Sequence, residues 1–264
     1  MDYNTHFRRE VEAFEAAARQ AVGAVSAPEV ATCPGWSMAD LVIHLGGVHR
    51  GVATILRDRL GTWPDTADRS FLDLPADRPG WPRPERTPNL GPVPAGLLDW
   101  FAEGAARLAA LFDETDPSTS VWTWAPDHTA GFWLRMQTIE AAVHRWDAES
   151  VVGTPKPVDA ELAADAVTQT FEVMTPMRRA VKQAPAGSGE RFRFRRTDGP
   201  GTWLVHFDGH DVRLDGRPGP IDVDLSGTAS DLALFLWGRV PADDLDVDGD
   251  LDVLDTYFTL VPPL

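Results

Sequence analysis

The spacing of apolar residues changes once along this chain, at residues 152–157. Before that segment, apolar residues recur every three or four positions, which is the period of an amphipathic α-helix. After it, short runs alternate between apolar and polar residues, as expected of half-buried β-strands. The segment itself reads Val-Gly-Thr-Pro-Lys-Pro and is rich in residues that end regular structure. We therefore predict two domains in this chain of 264 residues, 1–153 and 158–264.

The first domain contains four predicted helices. They cover residues 6–25, 38–60, 97–111 and 131–150. Four amphipathic helices predict a helical bundle. The second helix has the clearest start, because Ser37 is a good N-cap and Asp40 follows three positions later as the acidic half of a capping box.

Eight prolines lie between the second and third helices, in residues 61–96. Proline removes a backbone donor and blocks helix and sheet alike, so this stretch predicts a long surface loop. Long loops in compact proteins often close over a site. We expect this loop to cover a pocket between the two domains.

The second domain has the pattern of an α+β fold with a short sheet. We predict a first helix over residues 159–174 and a last helix over residues 229–237. Predicted strands cover residues 192–194, 202–207, 211–214 and 221–225. The last helix is expected to pack across the sheet.

Charge and cysteine content exclude several classes of protein. The chain has 40 acidic and 24 basic residues, a net charge of -16, which disfavours binding to nucleic acids and anionic membranes. No apolar run approaches the length of about 18 residues that a spanning helix needs. Cys33 is the single cysteine, so no internal disulfide forms, and the N-terminus lacks the apolar segment of a secretory signal. These features predict a cytoplasmic protein.

The fourth helix carries the chemically most informative residues. At about 100° per residue, Glu140 and His144 differ by about 40°, and Asp147 falls close to them on the same flank. Side chains at this spacing rise from neighbouring turns and can bind one divalent ion. His44 lies on the margin of the second helix's apolar stripe and is a better third ligand than His49 on the opposite margin.

Together, His44, Glu140 and His144 would form a two-histidine, one-carboxylate set with an open coordination position. Catalytic zinc sites have such a set, and non-haem iron sites use similar ligands. The alternative is that the histidine on the second helix is a hydrogen-bonded boundary residue and that the glutamate and histidine form a solvated pair. Spacing alone leaves both interpretations open.

Two further patterns have ordinary explanations. Five residues match positions of a calcium-binding loop: Asp244, Asp246, Asp248, Gly249 and Asp255. The template requires glutamate at the last position, and the same stretch fits a half-buried extended segment with acidic outer faces. Four arginines at 191, 193, 195 and 196 interleave with phenylalanines, and we interpret them as one basic face of a strand, offset by acidic neighbours.

Cys33 is a candidate nucleophile only on the strength of its thiol, since no partner residues for it can be found from the sequence. It precedes Pro34 in a predicted turn. Free cysteine usually behaves as a small buried apolar residue, and we expect the same here.

Three stretches resemble motifs of the mycothiol-dependent maleylpyruvate isomerase family. The first is residues 32–49, which begins Thr-Cys-Pro-Gly-Trp-Ser, and the second is residues 140–147, Glu-Ala-Ala-Val-His-Arg-Trp-Asp. The third joins residues 227–232 to the Leu-Trp-Gly-Arg of residues 236–239. Their order and separation also match those of the family.

The resemblance implies a DinB-like four-helix metal-binding bundle followed by a smaller α/β domain. It implies an actinobacterial protein that uses mycothiol as cosubstrate and holds a divalent metal, usually zinc, at His44, Glu140 and His144. Asp147 and Arg239 match positions expected near the pocket. Asp147 would orient His144, and Arg239 would pair with a substrate carboxylate.

The implied activity is metal-assisted thiol chemistry on a small electrophile. In an isomerase, the thiolate adds to a cis double bond, the bond rotates, and elimination leaves the trans isomer. A mycothiol S-transferase would instead leave the sulfur attached to the substrate. A non-catalytic metal-binding or sensing scaffold is the third alternative, and the oligomeric state is not indicated.

Overall fold

The structure is a computed structural model that describes residues 1–65, 67–214 and 219–263. The chain divides into two compact units, Met1–Lys156 and Pro157–Leu264. Within the described ranges, none of the helices combines the length and the apolar character needed to cross a lipid bilayer.

The first unit is the four-helix bundle that the apolar spacing predicts. Its helices are α1 (Tyr3–Arg19), α2 (Met38–Asp58), α3 (Ala95–Glu114) and α4 (Ala130–Val152). Helices α1 and α2 both pack against α3 and α4. The side chains of the predicted stripes, such as Phe14, Leu45 and Ile139, are buried in its core.

Local capping decides where these helices begin. Helix α1 starts three residues before the predicted position because the Asp2 carboxylate accepts a hydrogen bond from the backbone N of Thr5. It ends at Arg19, six residues before its predicted end. Helix α2 starts as predicted: Ser37 and Asp40 form a capping box, with the Asp40 carboxylate 2.9 Å from the Ser37 backbone N.

In its described residues, 59–65 and 67–94, the proline-rich segment between α2 and α3 is irregular, as predicted, except for two short 3₁₀ turns at Arg69–Leu72 and Pro84–Arg86. It is attached to the bundle at several points. The Trp100 indole N on α3 donates to the Leu72 carbonyl at 2.9 Å, and the Asn89 backbone N donates to Asp40 at 2.8 Å. These contacts hold the loop on α2 and α3, while its role as a cover over a pocket stays a prediction.

The second unit is the predicted small α/β domain with a short sheet. Its strands are β1 (Gly187–Arg196), β2 (Thr202–Gly209), β3 (Asp211–Leu214), β4 (Val223–Gly227) and β5 (Asp246–Gly249). They lie in the order β3-β2-β1-β4-β5, with β1 and β4 parallel and the other pairs antiparallel. Its helices are α5 (Ala160–Gln169), α6 (Thr175–Val181), α7 (Ala229–Leu236), α8 (Leu251–Asp255) and α9 (Tyr257–Leu260).

The first helix of this unit extends beyond its predicted end at residue 174. A π-helical turn at Thr170–Met174 joins α5 to α6, so the helical segment continues to Val181. Pro176 stands in the first turn of α6. A wide π-helical turn just before the proline accommodates a ring that would otherwise collide with the preceding turn.

Two interpretations of charged segments can be compared with the structure of this unit. The extended alternative to a calcium loop is confirmed for Asp246–Gly249, which form strand β5, but it is wrong for Leu251–Asp255, which form helix α8. The basic face of β1 is offset by an acidic neighbour, because the guanidinium groups of Arg193 and Arg195 both donate to the Asp224 carboxylate, each Nε at 2.9 Å.

Candidate metal centre

Helices α2 and α4 bring His44, Glu140 and His144 together. Glu140 and His144 lie one turn apart on α4, and His44 faces them from α2. His44 Nε2 is 3.3 Å from Glu140 Oε1, and one ligand atom of each of the three residues lies within 4.8 Å of the other two. The two histidine rings are nearly perpendicular, with centroids 5.4 Å apart.

This donor set fits a zinc ion or a similar divalent cation. Two ligands bound at about 2.0–2.1 Å and at the tetrahedral angle lie about 3.3 Å apart. That is the separation between His44 Nε2 and Glu140 Oε1. Two imidazoles and one carboxylate also leave a fourth position for an exogenous ligand.

The Glu140 carboxylate is held in its charged form. Burial on its own raises the pKa of this group, but the hydrogen bond from His44, the charges of His44 and His144, and the hydrogen bond from Gln137 lower the pKa to about 2. Gln137 Nε2 donates to Oε2 at 2.7 Å, which leaves Oε1 on the side of His44. The oxygen that faces His44 is therefore fixed.

The His144 ring is fixed from its other side by Asp147, three residues further along α4. His144 Nδ1 lies 2.9 Å from Asp147 Oδ2, and both side chains are buried. Because Nδ1 is engaged with the carboxylate, Nε2 is the nitrogen that would bind a metal. Carboxylate–histidine–metal arrangements of this kind set the tautomer and orientation of the ligand.

The group of three donors is exposed to solvent mainly at His44. Its side chain is 33% exposed, whereas the His144 side chain is 7% exposed. The Trp36 indole lies against it, with ring centroids 4.7 Å apart. A small molecule approaching the three donors from the His44 side would therefore contact the indole.

Sequence reasoning did not find Gln137 or Trp36 as parts of this site. Gln137 stands three residues before Glu140 on α4, and a search for polar side chains at helical spacing around the predicted ligands would have found it. Trp36 lies in the turn before α2, where no periodic pattern indicates which way a side chain points.

The expectation for Cys33 is wrong in one respect. The thiol is half-buried, and it is hydrogen bonded: Cys33 Sγ donates to Asp147 Oδ2 at 3.3 Å. Thr32 Oγ1 donates to the other oxygen of the same carboxylate at 2.6 Å. Cys33, His144 and Asp147 consequently form a second group of ligand atoms within 4.8 Å of one another.

His49 does not belong to the group. It is fully buried rather than on a helix margin, and its ring packs between Phe7 and Phe101 with centroid distances of 5.3 and 5.6 Å. Neither ring nitrogen has a hydrogen-bond partner in the part of the chain that the structure describes. Burial lowers the pKa of His49 to about 3, so the ring is neutral.

Arg239 lies in the second unit, just after α7. It is half-buried, and its Nη1 donates to the Trp237 carbonyl at 2.8 Å. Its expected place near the pocket stays a prediction.

Comparison with known families identifies both units of the chain. The family model described as the mycothiol maleylpyruvate isomerase N-terminal domain matches residues 7–149, and that of the C-terminal domain matches residues 161–256. The chain belongs to the mycothiol maleylpyruvate isomerase family. This confirms the resemblance found in the sequence motifs.

Two solved structures share the fold of this family member. They are crystal structures of the mycothiol-dependent maleylpyruvate isomerase and of a histidine-to-alanine mutant of it, at 17% and 16% sequence identity. Each superposition covers 94% of this chain and 92% of the other, with a TM-score of 0.62. No curated protein sequence matches the chain significantly.

Proposed function

We propose that this protein is an enzyme that binds a divalent metal ion, most simply zinc, and uses mycothiol as a cosubstrate on a small electrophile. The observation that supports this most directly is the convergence of His44, Glu140 and His144 within 4.8 Å, in a chain of the mycothiol maleylpyruvate isomerase family. We further propose that the reaction takes place in the cytoplasm, where thiols are kept reduced.

In this proposal His44, Glu140 and His144 hold the metal. A zinc ion in such a set favours the thiolate form of a thiol whose ordinary pKa is about 8.5. The protein's own contribution is to present three donors in one geometry. Gln137 fixes the Glu140 carboxylate, and Asp147 fixes the His144 ring.

The side chains around the donors also shape the place where mycothiol and substrate meet. Trp36 packs on His44 and presents an apolar surface beside this donor. Such a surface excludes water from one side of the reacting groups, which strengthens electrostatic interactions there. We propose Arg239 as the partner of a substrate carboxylate, because a guanidinium binds a carboxylate through two parallel hydrogen bonds.

For isomerisation, the thiol sulfur adds to one carbon of a cis carbon–carbon double bond, which becomes a single bond. Rotation about that bond and departure of the sulfur with its bonding electron pair restore the double bond in the trans form, and the thiol is regenerated. For S-transfer, the same sulfur bonds to an electrophilic carbon and stays attached, while a leaving group departs with its bonding electron pair or, in an addition to a double bond, the neighbouring carbon takes the thiol proton. Both reactions need the same donors, so product analysis decides between them.

The first experiment compares zinc content in the purified wild-type protein and in His44→Ala, Glu140→Ala and His144→Ala. We expect about one zinc per wild-type chain and strongly reduced content in all three variants, because two ligands rarely retain the ion. The matched control is His128→Ala, an exposed imidazole in the same unit, which should keep its zinc. Equal zinc content in wild type and the three variants would overturn the proposal.

The second experiment separates an enzyme from a metal-binding scaffold. Mycothiol is titrated into the zinc-loaded protein, and maleylpyruvate and simple electrophiles are then supplied with it. Regenerated thiol with a trans product indicates an isomerase, and a sulfur conjugate indicates a transferase. Zinc binding without any association of mycothiol would favour the scaffold and overturn the enzymatic proposal.

A further inference from the structure

We propose that Thr32 and Cys33 are positioning residues: they hold the Asp147 carboxylate that orients His144, and they thereby raise the affinity of the site for its metal. The inference deepens the proposed function, since the affected ligand is part of the proposed metal set. It assigns a role to the thiol and the hydroxyl of the Thr-Cys-Pro-Gly-Trp stretch that the mechanism above does not use.

The two carboxylate oxygens of Asp147 accept hydrogen bonds from different donors. Oδ1 accepts from Thr32 Oγ1 at 2.6 Å, whereas Oδ2 accepts from Cys33 Sγ at 3.3 Å and faces His144 Nδ1 at 2.9 Å. The Asp147 side chain is fully buried. A buried carboxylate needs such donors to remain charged and in one orientation.

The donors themselves belong to a turn held by backbone hydrogen bonds. The backbone N of Cys33 donates to the Val30 carbonyl at 2.9 Å, and that of Trp36 donates to the Cys33 carbonyl at 3.0 Å. Gly35 has φ of +83°, a conformation that side chains other than glycine rarely adopt, so the turn depends on this glycine. The hydroxyl and the thiol are therefore presented to Asp147 by a hydrogen-bonded turn.

This turn links both helices of the metal centre. It leads directly into α2, which carries His44, and its side chains contact Asp147 on α4, 115 and 114 residues away in sequence. The Trp36 ring lies against His44 at the same turn. The geometry thus makes one short segment contact the two histidines of the proposed set, one directly and one through Asp147.

The thiol acts here as a neutral donor rather than as a nucleophile. Cys33 Sγ donates its S–H to Asp147 Oδ2, and this is the role that the inference assigns to it. Serine can replace this function because its hydroxyl is also a donor, whereas alanine cannot. The same reasoning makes Thr32→Ser conservative and Thr32→Val disruptive.

The main test is a double-mutant cycle read out as zinc affinity in competition with a chromogenic chelator. Outer partners of metal ligands change affinity by about 10–100-fold, so we expect Thr32→Val/Cys33→Ala to weaken zinc binding about tenfold. In an Asp147→Asn background the same pair should change affinity less than about twofold, because groups acting through one residue are not additive. Equal losses in both backgrounds would show that the pair does not act through Asp147.

Conservative variants and a matched control keep the test specific. Thr32→Ser/Cys33→Ser should keep zinc affinity within about threefold of wild type, since both donors remain. Thr54→Val on α2 removes a buried hydroxyl that is not part of the turn, and it should leave zinc affinity unchanged. If Thr32→Val/Cys33→Ala does not fold, the cycle is run with Cys33→Ala alone. A loss in the serine pair as large as in the Val/Ala pair would overturn the inference.

A second readout does not require metal. In zinc-free protein labelled with ¹⁵N-histidine, the Nδ1-bound proton of His144 should exchange with water faster in Thr32→Val/Cys33→Ala than in wild type. Unchanged exchange would overturn the positioning role. If the wild-type protein binds no zinc, the proposed function is wrong, and this measurement still decides the inference.

Discussion

His144 and Asp147 lie three residues apart on α4, and the imidazole Nδ1 is 2.9 Å from the carboxylate Oδ2. Both side chains are buried, so this contact is shielded from water. A ring held in this way keeps one tautomer and directs its Nε2 to one side. The tautomer and orientation of His144 in the candidate metal centre therefore depend on Asp147, a residue outside the proposed ligand set.

Asp147→Asn tests this connection. Asparagine keeps the shape of the side chain but removes the negative charge that fixes the His144 tautomer, so we expect zinc affinity to fall about 10–100-fold. The measurement is chelator competition on the purified protein. Asp113→Asn, at an exposed ion pair with Arg8, is the matched control and should bind zinc like wild type. Wild-type affinity in Asp147→Asn would contradict the role of the pair.

We expect the buried, neutral His49 side chain to lower the stability of the protein in acid. Its pKa is about 3 in the folded chain and about 6.5 when unfolded, so between these values the unfolded chain binds more protons. The free energy of unfolding therefore decreases as the pH falls through this window, by up to about 1.4 kcal/mol per pH unit.

His49→Leu should remove this part of the pH dependence, because leucine does not titrate and fits an apolar site. The measurement is urea unfolding at several pH values from 7 down to the acid limit, compared with His210→Gln at an exposed position. An identical slope in wild type and His49→Leu would contradict the prediction.

Replacing two glycines of α2 by alanine should have opposite effects on the free energy of unfolding. A Cβ at Gly51 would lie 2.6 Å from the Trp63 indole, which packs against Trp122 and Trp133, whereas a Cβ at Gly47 meets nothing closer than 3.7 Å. Gly51→Ala should lower the free energy of unfolding by about 1–3 kcal/mol through overpacking. Gly47→Ala should raise it by up to about 1 kcal/mol, since alanine is the better helix former. Thermal and urea unfolding measure both, and equal effects would contradict the packing described for Trp63.

Asn89→Ala tests the attachment of the proline-rich loop. Asn89 donates to the buried Asp40 carboxylate from its backbone and its side chain, and loss of the side-chain donor should cost about 1.5–3 kcal/mol. We also expect faster proteolytic cleavage within residues 67–94. Asn4→Ala removes an exposed bond to Asp113 and should change stability by less than about 0.5 kcal/mol. Unchanged cleavage in Asn89→Ala would mean that the loop does not depend on this contact.

The helical half of the fold and the convergence of His44, Glu140 and His144 could be predicted because both depend on local spacing. His44 borders an apolar stripe, and Glu140 and His144 stand one turn apart, so each faces the neighbouring helix once the stripes pack. The start of α2 could also be predicted, because Ser37 and Asp40 form reciprocal capping hydrogen bonds within four residues. Motif resemblance then supplied the family.

Features that depend on distant contacts could not be found in the same way. The bond from Thr32 to Asp147 joins residues 115 positions apart, and no periodicity relates them. The path of the proline-rich loop depends on where Trp63 and Asn89 meet α2 and α4. The π-helical turn before Pro176 likewise reflects how the backbone accommodates a ring, which a count of apolar residues does not detect.

The assignment of His44 to α2 and of Glu140 and His144 to α4 also bears on biosynthesis. A ribosome completes His44 about a hundred residues before it completes the other two donors. A nascent chain at that stage contains one of the three proposed donors, and a product of interrupted translation would likewise lack the complete set. On the proposed function, metal uptake in the cell should therefore occur only after the fourth helix has been synthesised and has docked.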